Sequence, residues 1–514
     1  MKKFICIVSF FCIATFSAFS QGYRNPIISG MAPDPSVCRV GDDYYLVTSS
    51  FIQNPALPIY HSNDLINWKL INYAVTDENG LDLSKGEGMY APTIRYNPHD
   101  STFYVICTNV GGGQNFIVHS KHPDSTWSKP VWLTNPRMGI DPSLFFENDG
   151  TCYMQCTGDN NIIQIMIDPK TGEEISSFHY LTDGLGGRYP EGPHMYKVGN
   201  YYYLMISEGG TEFGHHVNLF RSDDIWGPFM PAPNNPILSH VGKNAQSNPI
   251  QCTGHADLIE AHDGSWWMVF LATRPILWTF YPLGRETFLA PVEWKNGWLT
   301  VNGNGTVTEE MNVKTLPQNS EKSISQRKNS VRVIYGFEHG ISNDWNAYRV
   351  SPQTVATKVS EGIEIKASND YDAFIGVRQL DYYMDAEIKL EIADWEGEAG
   401  ICVHHDDGKR YNLALVRENG KAFIKSECLF NSVNQVQTVE IESKTHVVYL
   451  KINSQKELYK FYWKYDNSSK DNVWREIGQM DAHFLAGGFS GLLVGPYVKK
   501  GKATTNWFCV TYHK

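Results

Sequence analysis

Between residues 34 and 274 the apolar and polar positions fall into one phrase, stated five times. A small or acidic residue opens a buried run, a turn follows, and an aromatic-led apolar run closes the phrase. The statements are DPSV…GDDYYLVTSS from Asp34 to Ser50, APTIRY…HDSTFYVICT from Ala91 to Thr108, DPSLFF…NDGTCYMQCT from Asp141 to Thr157, EGPHMY…VGNYYYLMIS from Glu191 to Ser207, and HADLIE…HDGSWWMVFLATR from His255 to Arg274. Tyr, Phe, Trp and Val crowd the apolar runs, Gly-Asp and Asp-Gly pairs precede them, and helical periodicity is hard to find. The pattern therefore predicts strands and hairpins. The statements begin 57, 50, 50 and 64 residues apart, the spacing of blades in a β-propeller. If each one opens the innermost strand of its blade, Asp34, Asp141, Glu191 and His255 face a single axial funnel, with Ala91 at the equivalent place in the second blade.

Past GRETFLAPVEWKNGWLTVNGNG the pattern changes. Residues 311–332 are polar, rich in Ser and Lys and nearly free of aromatics, as linkers are. From 333 to 514 apolar and polar positions alternate with period two in GIEIKAS, DAEIKLEIA, AGICVHH, YNLALVR and HVVYLKI, which predicts a two-sheet sandwich. The expected organisation is an all-β chain: a five-bladed propeller over 24–310, a linker over 311–332 and a β-sandwich over 333–514. Ahead of these, MKKFICIVSFFCIATFSAFSQG has two lysines, a short apolar run and small residues before Gln21. This predicts a secretory signal peptide over 1–20, not a membrane span, with export to a bacterial periplasm or beyond.

Losing Lys2 and Lys3 with that segment takes the formal charge from −11 to −13, which argues against nucleic acid or an anionic membrane as a partner. The eight remaining cysteines mostly lie within apolar strands, so buried thiols are expected and a disulfide framework is not. No paired Cys/His spacing indicates zinc, and no cofactor is expected. Oligomeric state is not legible.

Asp before Pro-Ser commonly opens a turn whose carboxylate takes a nearby backbone N–H, so either DPS motif alone has a structural explanation. Glu191 before Gly-Pro has no evident turn role, and three carboxylates at repeat-equivalent places point to chemistry. His255 suits a core donor or a site residue equally. Hydrolysis of a glycosidic bond needs one carboxylic acid to protonate the leaving oxygen and one carboxylate on the other face of the sugar. Asp34 and Glu191, from non-adjacent blades, would bracket a sugar and a water, at the separation of roughly 6.5 to 9.5 Å that gives inversion. An ionised Asp141 near Glu191 would then keep that glutamate protonated.

The ordered set DPSV, GIDPSLFF, EGPHMYK, EGGT and GRETFLAPVEW resembles glycoside hydrolase family 43, and within it the two-domain β-xylosidases and α-L-arabinofuranosidases. The resemblance covers the mature chain and implies a concanavalin-like C-terminal sandwich. It implies Asp34 as general base, Asp141 as pKa modulator and orienter, and Glu191 as general acid. Phe51, Thr211, His255 and Arg285 match residues lining the sugar pocket, and Tyr90 stands where relatives often carry Trp. A guanidinium suits a sugar pocket, although Arg285 could equally form an ion pair with Glu286. Phe489, Leu493 and Tyr497 all stand near the place from which relatives send a Phe into the pocket mouth. Some relatives hold calcium near the axial His, but no acidic cluster here specifies a metal. The expected activity is exo-acting, inverting release of terminal α-L-arabinofuranose from xyloglucan or arabinoxylan oligosaccharides. The alternatives are a β-xylosidase, a non-catalytic sugar-binding propeller and a structural propeller.

Overall fold

The structure, a computed structural model, describes residues 21–513 apart from 136–137, 315–316, 318–329, 394–395, 407 and 467–471. The expected signal segment, 1–20, and most of the expected linker lie outside the described residues. Strands occupy both ends of that linker, Glu310–Val313 and Val331–Tyr335.

Five antiparallel meanders follow one another, as the repeat predicts. Blade 1 comprises Ser36–Val40, Asp43–Val47, Ala56–Ser62 and Lys69–Val75. Blade 2 opens with Thr93–Asn97, blade 3 with Ser143–Phe146, blade 4 with Glu191–Val198 and blade 5 with Gln251–Glu260. The first hairpin of each blade turns on a left-handed residue. It is Gly41, Gly150, Gly199 and Gly264 in four blades, and Ser101 at φ 51° in blade 2. Glycine reaches that region without a Cβ clash, which explains the Asp-Gly and Gly-Asp signals.

The repeat frame also holds at the axis. Asp34, Ala91, Asp141 and His255 each stand two residues before the first regularly paired residue of the inner strand, namely Ser36, Thr93, Ser143 and Asp257. In blade 4 Glu191 pairs with Ser207 and the ladder slips between it and His194, which puts a bulge at the same level. Below this ring a buried ionic pin joins four blades. Asp257 accepts from Ser36 Oγ at 2.8 Å, from Arg95 Nη1 at 2.8 Å and Nη2 at 3.0 Å, and from Tyr196 Oη at 2.6 Å. His194, pushed down to about 3 mainly by burial, takes Arg95 Nη2 on Nδ1 at 2.9 Å. A neutral imidazole accepting there leaves Arg95 and Asp257 as the only charges, and they compensate each other. The N-terminal strand Gln21–Arg24 pairs with Glu310–Val313 beside blade 5.

The C-terminal half stacks a nine-stranded sheet on a seven-stranded one. Trp345, Ile388, Ile401, Leu413, Leu450 and Phe508 are among the buried side chains between them. The two halves are joined by backbone and side chain. Ala347–Tyr348 pairs with Gln53–Asn54 of blade 1, Arg378 Nη1 donates to Met31 O at 3.2 Å, and Tyr382 Oη donates to Arg274 O. The turn before Arg285 crosses the sandwich loop 487–491 so closely that a Cβ on Gly491 would stand 2.4 Å from Leu283 O. This crossing brings a sandwich loop over the funnel mouth. The eight cysteines among the described residues are all free and buried.

Candidate functional site

The funnel is built from residues held in unusual backbone. Asp34, Phe51, Asp141 and His255 have φ of 53°, 48°, 56° and 46°, a left-handed region that costs non-glycine residues about 1–3 kcal/mol each and is stored where geometry matters. The strain turns their side chains into the mouth.

Asp34 is the most firmly held. Arg285 grips it through both nitrogens, Nη1 to Oδ1 at 2.8 Å and Nη2 to Oδ2 at 3.3 Å. Ser49 Oγ donates to Oδ2 at 2.5 Å, and His255 Nδ1 lies 3.8 Å from Oδ1. Burial alone would raise this carboxyl, but Arg285, His255 and Ser49 together outweigh it and hold Asp34 below the ordinary carboxylate value. The expected alternative for Arg285, a pair with Glu286, is not what forms. Glu286 is taken by Arg274, at 2.7 and 2.8 Å, and Arg285 points into the site.

Arg285 also joins the other walls. Nη1 donates to Thr211 Oγ1 at 3.1 Å, and Nε and Nη2 donate to Phe489 O at 3.3 Å. Its guanidinium lies 5.5 Å from the Phe51 ring centre and 5.4 Å from that of Phe489. Phe489 stacks on Phe51 at 5.9 Å and 14° and meets Tyr90 at 5.9 Å. Of the three sandwich residues in question, Phe489 is thus the one at the pocket mouth. Leu493 and Tyr497 are buried in the sandwich. Tyr90, with its edge toward Phe51 at 5.3 Å, also donates its hydroxyl to Glu87, so a ring does stand where Trp is common.

Asp141 lies within electrostatic reach of both Glu191 and Asp34. Asp141 is buried and accepts from Gly192 N at 3.3 Å. Burial, then the charges of Glu191 and Asp34, push Asp141 up to about 7 against the pull of His255 and the Gly192 amide. The expectation that an ionised Asp141 would keep Glu191 protonated thus meets a site where burial favours the protonated form of Asp141. Its carboxyl is enclosed, whereas 17 % of the Glu191 side chain remains in solvent, and charge costs more where water cannot reach. Gly192, at φ 56°, is required here because a Cβ would stand 3.0 Å from the His255 ring. His255 is fixed in turn by Ser207 Oγ, which takes its backbone N–H at 2.6 Å.

One neighbour went unread in the sequence. His215 Nε2 stands 3.1 Å from Glu191 Oε1 without the angle of a hydrogen bond, while Nδ1 faces Cys252 O at 3.2 Å. An Nδ1–H donating to that carbonyl leaves Nε2 as an acceptor beside the glutamate. A Cβ on Gly254 would come within 2.2 Å of the His215 ring, so the Gly of TGH makes room for it. Ser49 was missed as well. A signal existed, since the phrases of blades 1 and 4 both end in serine, Ser50 next to Ser49 and Ser207. Among the described residues no group of three or more His, Cys, Asp or Glu is arranged to hold a metal.

Residues 23–299 match the family model described as glycosyl hydrolases family 43. Residues 343–514 match the β-xylosidase C-terminal concanavalin A-like domain. The chain is 38 % identical to a non-reducing end α-L-arabinofuranosidase of Bacteroides ovatus, over 96 % of each chain. It is 33 % identical to a xylosidase/arabinosidase of Butyrivibrio fibrisolvens, over 95 % of this chain and 97 % of the relative. A solved Bacteroides ovatus protein from a xyloglucan utilisation locus superposes with a TM-score of 0.85 at 36 % identity, covering 95 % of this chain and 99 % of that one. A Bacillus licheniformis family 43 protein does so at 0.86 and 29 %, covering 96 % and 100 %.

Proposed function

Because this chain belongs to glycosyl hydrolase family 43, we propose that it is an exo-acting, inverting α-L-arabinofuranosidase that trims terminal residues from xyloglucan or arabinoxylan oligosaccharides. The observation that carries this reading is the unequal treatment of the funnel's carboxyls. Asp34 is locked as an anion by Arg285 and Ser49, whereas Glu191 is left partly open beside His215.

In this reading Asp34 takes a proton from the water that attacks the anomeric carbon, and Glu191 gives its proton to the leaving oxygen. Asp141 and His255 set the charge around Glu191. When the glycosidic oxygen arrives as an acceptor, the proton is favoured on Glu191, and Asp141 then carries the negative charge with His255 and the Gly192 amide opposite it. Arg285, Thr211, Phe51, Tyr90 and Phe489 stand in mutual contact at the mouth, and walls on these sides would suit a single terminal unit. The ring wall formed by Phe51, Tyr90 and Phe489 can face the apolar side of a pentose while Arg285 meets its hydroxyls.

A β-xylosidase is the second reading, supported by the relative named as both xylosidase and arabinosidase. The two pentoses present similar hydroxyls, and small differences in shape discriminate only about 10- to 200-fold. Product analysis by NMR on arabinosylated and xylosylated oligosaccharides reports sugar, linkage and anomeric outcome together. Retention at the anomeric carbon, or release of neither pentose, overturns the proposal. Export to the periplasm, drawn from the lysine-led apolar segment at 1–20, belongs to the same proposal. Cell fractionation tests it, and recovery only in the cytoplasm would refute it.

A further inference from the structure

The funnel face is not uniform around its rim. In every blade the connection between the second and third strands lies at the funnel end, because the head of the inner strand pairs with the close of the second, as Glu191 does with Ser207 and Gln251 with Thr273. In blades 2 and 3 those connections, 111–114 and 158–161, hold only Gly, Gln, Asp and Asn. In blades 4 and 5 they are 209–215 and 274–285, and they carry Phe213, Leu277, Trp278 and Phe280, all exposed. The segment entering blade 4 adds Tyr189, 55 % exposed.

The tip of the blade 5 connection is strained. Ile276 and Phe280 exchange backbone hydrogen bonds at 2.6 and 3.0 Å, and Thr279 N donates to Ile276 O at 3.2 Å. Leu277 and Trp278 fill the turn with φ of 45° and 69°. Two successive left-handed residues in a hairpin turn favour Asn-Gly, and bulky side chains there are held against their preference. Burial does not offset the strain, since 62 % of Trp278 is exposed. The base of the hairpin is firm: Ile276 is buried in the sandwich core, and the Phe280 ring meets that of His483 at 5.3 Å.

Tyr189 is held in a similar way. Its φ is 55°, Gly209 N donates to Arg188 O at 2.6 Å, and a Cβ on Gly210 would lie 3.3 Å from the Tyr189 ring. The ring therefore stands beside Thr211, whose hydroxyl meets Arg285. Buried Glu208 pins the preceding turn, accepting from Leu185 N at 3.0 Å and Gly187 N at 2.9 Å. Tyr281, just past the hairpin, feels the charges of Arg285 and Glu212, so both segments flank the arginine that holds Asp34. Arg188 and Glu212 pair with each other, which leaves no net charge beside the rings.

We propose that Tyr189, Phe213 and Trp278 form a platform for the departing part of the substrate, so that the enzyme reads sugar rings beyond the bond it cuts. This rests on the hydrolase reading above. Glu191, which there protonates the leaving oxygen, is two residues from Tyr189 and opens blade 4, whereas Asp34 opens blade 1. A chain attached to that oxygen passes over blades 4 and 5, and exposed rings without net charge suit the apolar faces of a neutral oligosaccharide.

The test compares kcat/KM on an arabinoxylan oligosaccharide with a backbone of several xyloses and on nitrophenyl arabinofuranoside, in the full chain and its variants. A xylo-oligosaccharide and nitrophenyl xyloside replace them should the enzyme prove a β-xylosidase. Leu277→Asn with Trp278→Gly installs the pair that the turn prefers, so this double variant should fold with a higher thermal midpoint. It should nevertheless lower the ratio of kcat/KM, oligosaccharide over nitrophenyl glycoside, by about ten-fold, because the indole is gone. Trp278→Tyr keeps a ring and should restore most of the ratio. A raised midpoint with an unchanged ratio would overturn the platform. So would loss of a dimer in light scattering with an unchanged ratio, which would assign the rings to a second copy of this chain. Hydrolysis of neither substrate by the native chain would remove the hydrolase reading and the platform with it.

Discussion

Asp141→Asn isolates the electrostatic core of the funnel. The substitution keeps the side chain's shape and an oxygen for the Gly192 amide, but removes the group that titrates. The carboxyl rises from 3.8 to about 7 in the fold. That difference, at about 1.4 kcal/mol per pH decade, amounts to about 4 kcal/mol, less whatever is relieved when water enters beside Glu191. The sign follows from linkage. A carboxyl raised in the folded state binds more protons folded than unfolded between the two values, so the native chain loses stability as pH rises from about 4 to about 7 and no further beyond. The asparagine variant lacks this loss. Thermal midpoints of both proteins from pH 4 to pH 8.5 should therefore nearly coincide at the acid end and separate as pH rises, with the variant higher, until the difference levels near pH 7. A constant difference across the range would refute a buried carboxyl with a raised value at 141. The same variant should lose activity despite its stability, because the charge that accompanies proton donation by Glu191 is gone.

Four further outcomes follow from the same geometry. Glu191→Gln should lower kcat by roughly 10²- to 10⁴-fold on glycosides with a sugar leaving group and far less on dinitrophenyl glycosides, which leave without a proton; equal losses on both would remove glutamate 191 as the acid. Arg285→Lys keeps a charge but cannot hold both oxygens of Asp34, Thr211 and Phe489 O at once, so the acid limb of the kcat/KM profile should move up toward the ordinary carboxylate value, and an unmoved limb would show that Asp34 is not the base. Phe489→Ala removes ring contacts to Phe51 and Tyr90 worth about 1 kcal/mol each, and should raise KM roughly ten-fold with a smaller change in kcat; an unaltered KM would place the sugar elsewhere. Gly254→Ala puts a methyl within 2.2 Å of the His215 ring and should cost at least ten-fold in kcat without unfolding the chain, whereas full activity would show that His215 does not position Glu191.

Much of the molecule is written locally along the chain. Aromatic strands, left-handed turn glycines and a residue of chemistry at the head of four of the five repeats are short-range properties, so the five blades, the sandwich and the set Asp34, Asp141 and Glu191 can be read before any folding is considered. Their convergence is also implied, because a ring of equivalent blades brings equivalent positions to one axis. Tertiary structure alone decides how those groups are charged and enclosed. Arg285 chooses Asp34, 251 residues away, over its neighbour Glu286, and the carbonyl of Phe489 closes on Arg285 from 204 residues away. The raised carboxyl is Asp141 because only the packed funnel shows which acid water cannot reach. Desolvation and Coulomb energy depend on distances through space, and a pattern of residue types along a chain carries none of them.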